Sequence, residues 1–313
     1  MRNRLRDAMV VATTTAVLAV FAVAVRPTTA QGGYQAPRLS GTKNPNLSGI
    51  WQVLNTANWD IQAHSARAAL AVVRGPAGDV PAAAALALGA VGGVPGGLGV
   101  VEGNEIPYRP EALAKKKENA ANVLTRDPEV KCYMPGVPRA MYMPYPFQIV
   151  QSTNRIMIAF EFATAQRVIN LDKQEPPLDD TWMGYSAGRW DGDTLVVDTT
   201  NQLDQTWFDR AGNFHSDALH VVERFTPLNG QQMMYEVTIE DPQTFTRPWK
   251  MRMPLYRHTE AGAQLMEYKC VEFVEELMYG HLRKEQLVRH WDGDTMAVDI
   301  TRKMPSPKKL YER

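Results

Sequence analysis

The chain has 313 residues, 44% of them apolar and 22% charged, with 22 Gly and 21 Pro spread along it. That composition suits a globular core and excludes disorder, collagen and coiled coil, while the length allows one large domain or two small ones. Thirty-four basic residues balance thirty-four acidic ones, which leaves no broad positive field for nucleic acid or an anionic membrane surface.

Arg2, Arg4 and Arg6 precede an uncharged run from Ala8 to Val25, and Thr28, Thr29 and Ala30 are small residues of the kind a signal peptidase reads. Residues 1–30 are read as an export signal; the competing reading is an uncleaved anchor, since the run is about long enough to span a bilayer. Cleavage takes away four Arg and one Asp, leaving 30 basic against 33 acidic residues, a periplasmic or secreted location and no stable membrane span. In an oxidising compartment the two cysteines, Cys132 and Cys270, are expected to pair, the competing reading being two buried thiols. Neither a CxxC nor a Cys/His metal spacing occurs, so no metal or other cofactor is expected.

Residues 31–46 read as a flexible lead-in to a single β-rich domain over 47–313, opened by a strand at Leu47–Trp51. A Gly/Ala-rich insertion fills 66–103, with a short helix expected from His64 to Arg74. Its uncharged stretch Val80–Val101 imitates a transmembrane span, but Pro81, Pro95 and six Gly would break a helix in lipid. Pro110–Leu124 is the clearest helix, with Pro in the first turn and Glu111 complementing the dipole.

From Phe147 the apolar period becomes two. Strands are expected at Phe147–Gln151, Arg155–Phe162, Arg167–Leu171, Gly188–Asp191, Thr194–Thr199, Leu219–Phe225, Gln232–Glu240, Trp249–Tyr256 and Leu265–Val271. Asp191-Gly192, Asn229-Gly230 and similar pairs between them are hairpin signals. A mainly β fold is expected, an antiparallel meander closing into a lipocalin-like barrel or sandwich with one or two peripheral helices, because strand edges must be hidden. Trp190-Asp-Gly-Asp-Thr194 recurs at Trp291–Thr295; a repeated hairpin turn explains it better than a calcium loop, because no further carboxylate follows at ladder spacing.

Two resemblances accompany this reading. Gly49-Ile-Trp51 ahead of a hairpin meander resembles the Gly-x-Trp opening of lipocalin-like barrels. Pro144-Tyr-Pro-Phe-Gln-Ile-Val150, Trp182-Met-Gly184, Arg189–Thr194, Asp209-Arg-Ala-Gly212 and His215-Ser-Asp-Ala-Leu219 resemble a large, mostly uncharacterised family of exported bacterial β-rich proteins. The resemblance implies location and a β-rich fold, and no reaction.

The connection Asn201–Asp217 is far longer than a hairpin needs, and it gathers Asp204, Trp207, Phe208, Asp209, Arg210, His215 and Asp217. A histidine beside carboxylates serves as a general base near neutral pH, and an arginine steadies an oxyanion. His215, Asp209, Arg210, Asp217 and Tyr185 are therefore the candidate catalytic residues, with His215 expected within hydrogen-bond reach of Asp209 or Asp217. Trp207, Phe208, Tyr145, Trp182 and Arg139 are the candidate substrate-binding residues. The competing reading is structural: an Asp209–Arg210 ion pair and core aromatic plugs. His220 and Glu223, three apart on one strand, face opposite ways, which disfavours a metal pair.

Hydrolase, kinase, dehydrogenase and zinc-peptidase signatures are missing from the sequence. Two readings of function follow. One is an exported, cofactor-independent acid/base enzyme, a lyase, isomerase or hydratase acting on a hydrophobic, aromatic small molecule. The other is a periplasmic carrier or binding protein for an apolar ligand. The enzyme requires base, acid and anion donor to converge on one cavity; the carrier requires a dry pocket with one or two anchors.

Overall fold

The structure, a computed structural model, describes residues 34–67, 72–75, 78–81, 94–172, 175–268, 270, 288–291 and 296–299. Residues 1–33, where the export signal is expected, and the middle of the Gly/Ala-rich insertion lie outside the described residues. Residues Ala36–Arg313 form one compact unit.

Nine strands close a barrel: β1 (Gly49–Val53), β4 (Phe147–Gln151), β5 (Arg155–Phe160), β6 (Gln166–Asn170), β7 (Tyr185–Asp191), β8 (Thr194–Thr200), β9 (His220–Pro227), β10 (Gln232–Glu240) and β11 (Trp249–Arg257). Two small hairpins stand apart from this sheet, β2 (Val72–Gly75) with β3 (Gly78–Pro81) and β12 (Val288–Trp291) with β13 (Met296–Asp299). The first Asp-Gly-Asp copy thus sits on hairpin β7–β8, and the second, Asp292–Asp294, lies outside the described residues. Among the described residues no helix is long and apolar enough to cross a membrane.

Period-two sequence explains the strands directly. On β10, Met233, Tyr235, Val237 and Ile239 all point inward and are buried while their neighbours are half exposed. Each such side chain contributes about 1.5–3 kcal/mol of burial. One consequence of alternation holds as expected: Glu223 of β9 faces the barrel interior, whereas His220 lies on the outside between Asp198 and Glu240.

Three expectations for the sheet are corrected. Residues 265–268 and 270 form no strand; Val271 lies outside the described residues. Closure comes instead from β1, which pairs antiparallel with both β11 and β4. The chain at 263–268 is held by other contacts: Met266 N–H donates to Glu161 Oε2 at 2.8 Å, and Tyr268 packs on Tyr145 and Phe162. Nor is the sheet wholly antiparallel, because β6 and β7 run parallel through Ile169↔Ser186 and Asn170↔Ala187. Their connection, 171–184, has the length of about a dozen residues or more that a parallel pair requires. Lastly, β5 stops at Phe160, where a 3₁₀ turn, Phe162–Thr164, follows.

Upstream, no helix runs from His64 to Arg74 in the described part. His64 bridges Gly97, Arg67 bridges Val94, and Val72–Gly75 is strand. The glycines permit this approach: a Cβ on Gly99, at φ +77, would stand 2.5 Å from Ala63 N. The lead-in is tied down rather than loose from Ala36 onward, since Arg38 bridges Pro45 and the Gln151 side chain bonds both Pro45 O and Leu47 N–H. Helix α1 spans Pro110–Ala121, and after a break at Asn122 a single turn, α2 (Val123–Arg126), follows.

The barrel interior holds one polar knot. Arg167 forks onto Glu223 and also donates to Ser186 and Thr199 at 2.9 and 2.8 Å, while Tyr235 Oη donates to Glu223 at 2.7 Å. All five residues are buried, and mutual satisfaction is what makes a buried ion pair tolerable.

Candidate functional site

The long connection 201–217 packs at one end of the barrel, and Asp209 organises it. Its fully buried carboxylate accepts hydrogen bonds from the backbone N–H groups of Ile61, Ala211 and Asn213 at 2.9, 2.9 and 3.1 Å, and from Asn213 Nδ2 at 2.6 Å. Burial and the nearby charge of Asp60 outweigh these donors and lift the Asp209 carboxyl to about 7. A tight turn results, with Phe208 N–H bonded to Asn213 O and Trp207 bridged to Phe214. Helix α1 covers it at Gly212, whose φ of +85 and close approach to the helix backbone leave no room for a side chain.

His215 is also buried, at 1% exposure. Its Nδ1–H donates to Ser216 O at 2.8 Å, which makes Nε2 the acceptor for the Thr206 hydroxyl at 2.6 Å. Both ring nitrogens are thereby spent, and the expected hydrogen bond to Asp209 or Asp217 is not made. Burial holds the imidazole below its ordinary pKa, so the ring is neutral. Asp217 is exposed and accepts from Gln243 Nε2 at 3.2 Å, and Asp204 is exposed.

Arg139 and Arg210 also have intramolecular partners. Arg139, fully buried, forks onto Asp127 at 2.7 and 2.9 Å and donates Nε–H to Asn58 Oδ1 at 2.9 Å. Arg210 binds Glu129 through Nε at 2.6 Å and Nη2 at 3.0 Å. Burial opposes the Glu129 charge, but the two guanidiniums win and hold it below the ordinary carboxylate range. Asp127 Oδ1 in turn accepts Glu129 N–H at 3.0 Å. This four-residue cluster fixes the short 3₁₀ turn Glu129–Lys131, which ends at Cys132 with φ +64. Cys132 carries the expected disulfide to Cys270, with a Cα–Cα distance of 5.7 Å.

The anchored turn forms one wall of a cleft of about 270 Å³. Lys131 and Tyr133 come from this wall, Asn119 from α1, Arg126 from α2, Trp182 from the turn before β7, and Gln205 and Trp207 from the long connection. Tyr133 and Trp182 stack, with ring centroids 5.0 Å apart and planes at 17°. Trp207 is buried behind them, packed with Ala112 and Phe214.

Of the sequence-derived candidates, Trp182 and Trp207 therefore meet in one cleft, and the others do not join them there. Phe208 is core, and the Phe208 carbonyl accepts the Tyr142 hydroxyl at 2.9 Å. Tyr145 lies with Phe162 and Tyr268 in a separate aromatic group. Tyr185 begins β7 opposite Thr200. Tyr133, Lys131, Arg126 and Asn119 were missed; the position of Lys131 and Tyr133 on either side of a pairing cysteine was the available signal. A larger depression of about 600 Å³ is bounded by Leu54, His64, Leu98 and Arg252, but much of its wall is the glycine-rich backbone at 96–99, and among the described residues no Trp, Tyr or Phe lines it.

Among the described residues no cluster of three or more His, Cys, Asp or Glu is placed to hold a metal. No protein-family model, curated protein or solved structure matches the chain.

Proposed function

We propose that the chain is an exported small-molecule binding protein that takes a single-ring aromatic ligand into the cleft between Tyr133, Trp182 and Trp207. The observation that carries this reading is the gathering of three aromatic side chains from three separate segments around one concave space, two of them stacked at 5.0 Å. Aromatic rings are the least entropically costly way to hold a planar guest, and Gln205 and Asn119 supply polar anchors of the kind a binding site needs. A volume of about 270 Å³ lies just below the range for drug-sized ligands and suits one ring with a short arm.

The acid/base enzyme has weaker support. Its base, His215, uses both nitrogens internally, and Arg210 is engaged with Glu129. Neither His215 nor Arg210 is among the residues that line the cleft. Export accords with the disulfide and with the amino-terminal segment, and cleavage after Ala30 is read out by intact mass of the protein recovered from the periplasm.

The test is a fluorescence titration with small aromatic compounds against aliphatic compounds of equal size. Aromatic guests are expected to quench Trp182 and Trp207, and Trp182→Ala to weaken their binding by roughly tenfold, the equivalent of about 1.4 kcal/mol of stacking. Equal affinity for the aliphatic set, or an unchanged Trp182→Ala, sinks the proposal.

A further inference from the structure

We infer that the ligand of this cleft is an aromatic acid, bound as its carboxylate anion beside Lys131. The inference rests on the reading of the cleft as an aromatic site and adds to it the charge of the guest.

The lining of the cleft has a single sign. Lys131 and Arg126 both face it, and among the described residues that line it there is no Asp or Glu. This runs against the chain as a whole, which after loss of residues 1–30 carries 30 basic and 33 acidic residues. Arg126 is partly neutralised: its Nη2 reaches Glu118 Oε1 at 2.7 Å on the exposed outer side of the helix. Lys131 differs, because its side-chain ammonium has no ion-pair or hydrogen-bond partner among the described residues and the residue is only half exposed. The neighbouring acid, Glu129, cannot serve it, being gripped by Arg210 and Arg139. The same cluster that rigidifies the turn therefore leaves Lys131 without a counter-charge among the described residues in the cleft that the Tyr133–Trp182 stack also lines. A carboxylate on a ring lying against that stack completes the pair, with the amide of Gln205 able to donate a further hydrogen bond.

Isothermal titration of the full mature chain with cinnamate and with cinnamyl alcohol, its neutral counterpart, separates the claims. Cinnamate is expected to bind about tenfold more tightly than the alcohol, and this preference should shrink as salt is raised. Lys131→Met keeps the stem and removes the charge; it should bring the two affinities together while leaving the melting temperature unchanged. Trp182→Ala should weaken both compounds alike. If wild type binds both compounds equally, or if Lys131→Met preserves the preference, the acid inference is overturned while the aromatic site stands. If neither compound binds, or if Trp182→Ala changes neither, the aromatic site itself is overturned and the acid inference goes with it.

Discussion

Cys132 and Cys270 are 138 residues apart in sequence, with Cα atoms 5.7 Å apart, and their disulfide ties the chain just past residues 263–268 to the turn that carries Lys131 and Tyr133. Closing a loop of this size restricts the unfolded chain by about 4–5 kcal/mol in the chain-entropy account. Reduction, or Cys132→Ser with Cys270→Ser, should therefore lower the melting temperature by several degrees. A scan with and without reductant checks it; coincident transitions would contradict the expectation.

The Arg167–Glu223 pair in the barrel gives a sharper test. Glu223→Ala leaves a buried guanidinium without its counter-charge and should cost about 3–5 kcal/mol. Joint replacement of Arg167 by Met and Glu223 by Leu removes both charges and should cost much less than the single change. Urea unfolding of the three proteins measures this, and a double variant as unstable as Glu223→Ala would refute it.

His215 makes stability pH-dependent. Burial lowers its folded pKa beneath the ordinary 6.5, so the folded ring stays neutral where the unfolded one takes up a proton. Stability is fully present above about pH 6.5 and falls as acid is added below it, by up to about 1.4 kcal/mol per pH unit. Asp209 acts in the opposite sense: with a folded pKa of about 7 against an ordinary 3.8, it loses stability as pH rises through that window. Comparing wild type with His215→Gln removes the common Asp209 contribution. The stability advantage of wild type over His215→Gln should stay constant above about pH 6.5 and shrink as pH falls below it.

At Gly212, an added Cβ would meet Ala120 N at 2.6 Å and Lys116 O at 2.7 Å in a backbone already at φ +85. Gly212→Ala should cost about 1–3 kcal/mol and displace α1 from the long connection, loosening the wall that carries Asn119. Calorimetry together with ligand titration reads both effects. Gly192, also at positive φ but with open space around it, is the control and should lose less.

The sequence by itself determined what depends on neighbours along the chain. Alternation of apolar residues marked most of the strands, Asp191-Gly192 and Asn229-Gly230 marked hairpins, Pro110 opened the helix, and the opposition of His220 and Glu223 followed from pleat geometry. Pairing of the two cysteines followed from their number and an expected oxidising compartment. Tertiary structure alone decided everything that requires knowing which distant groups share a volume. Insertion of β1 between β4 and β11 and the parallel match of β6 with β7 depend on barrel closure, which no local pattern encodes. The same holds for charge. Arg139 and Arg210 resemble ligand-binding residues until Asp127 and Glu129 are found beside them, because a buried ion takes whichever partner the fold delivers. His215 looked like a base for want of knowledge that Thr206 and the Ser216 carbonyl occupy its two nitrogens. Lys131, unremarkable in sequence, stands out only because the folded chain brings Tyr133, Trp182 and Trp207 around it and gives its charge no partner among the described residues.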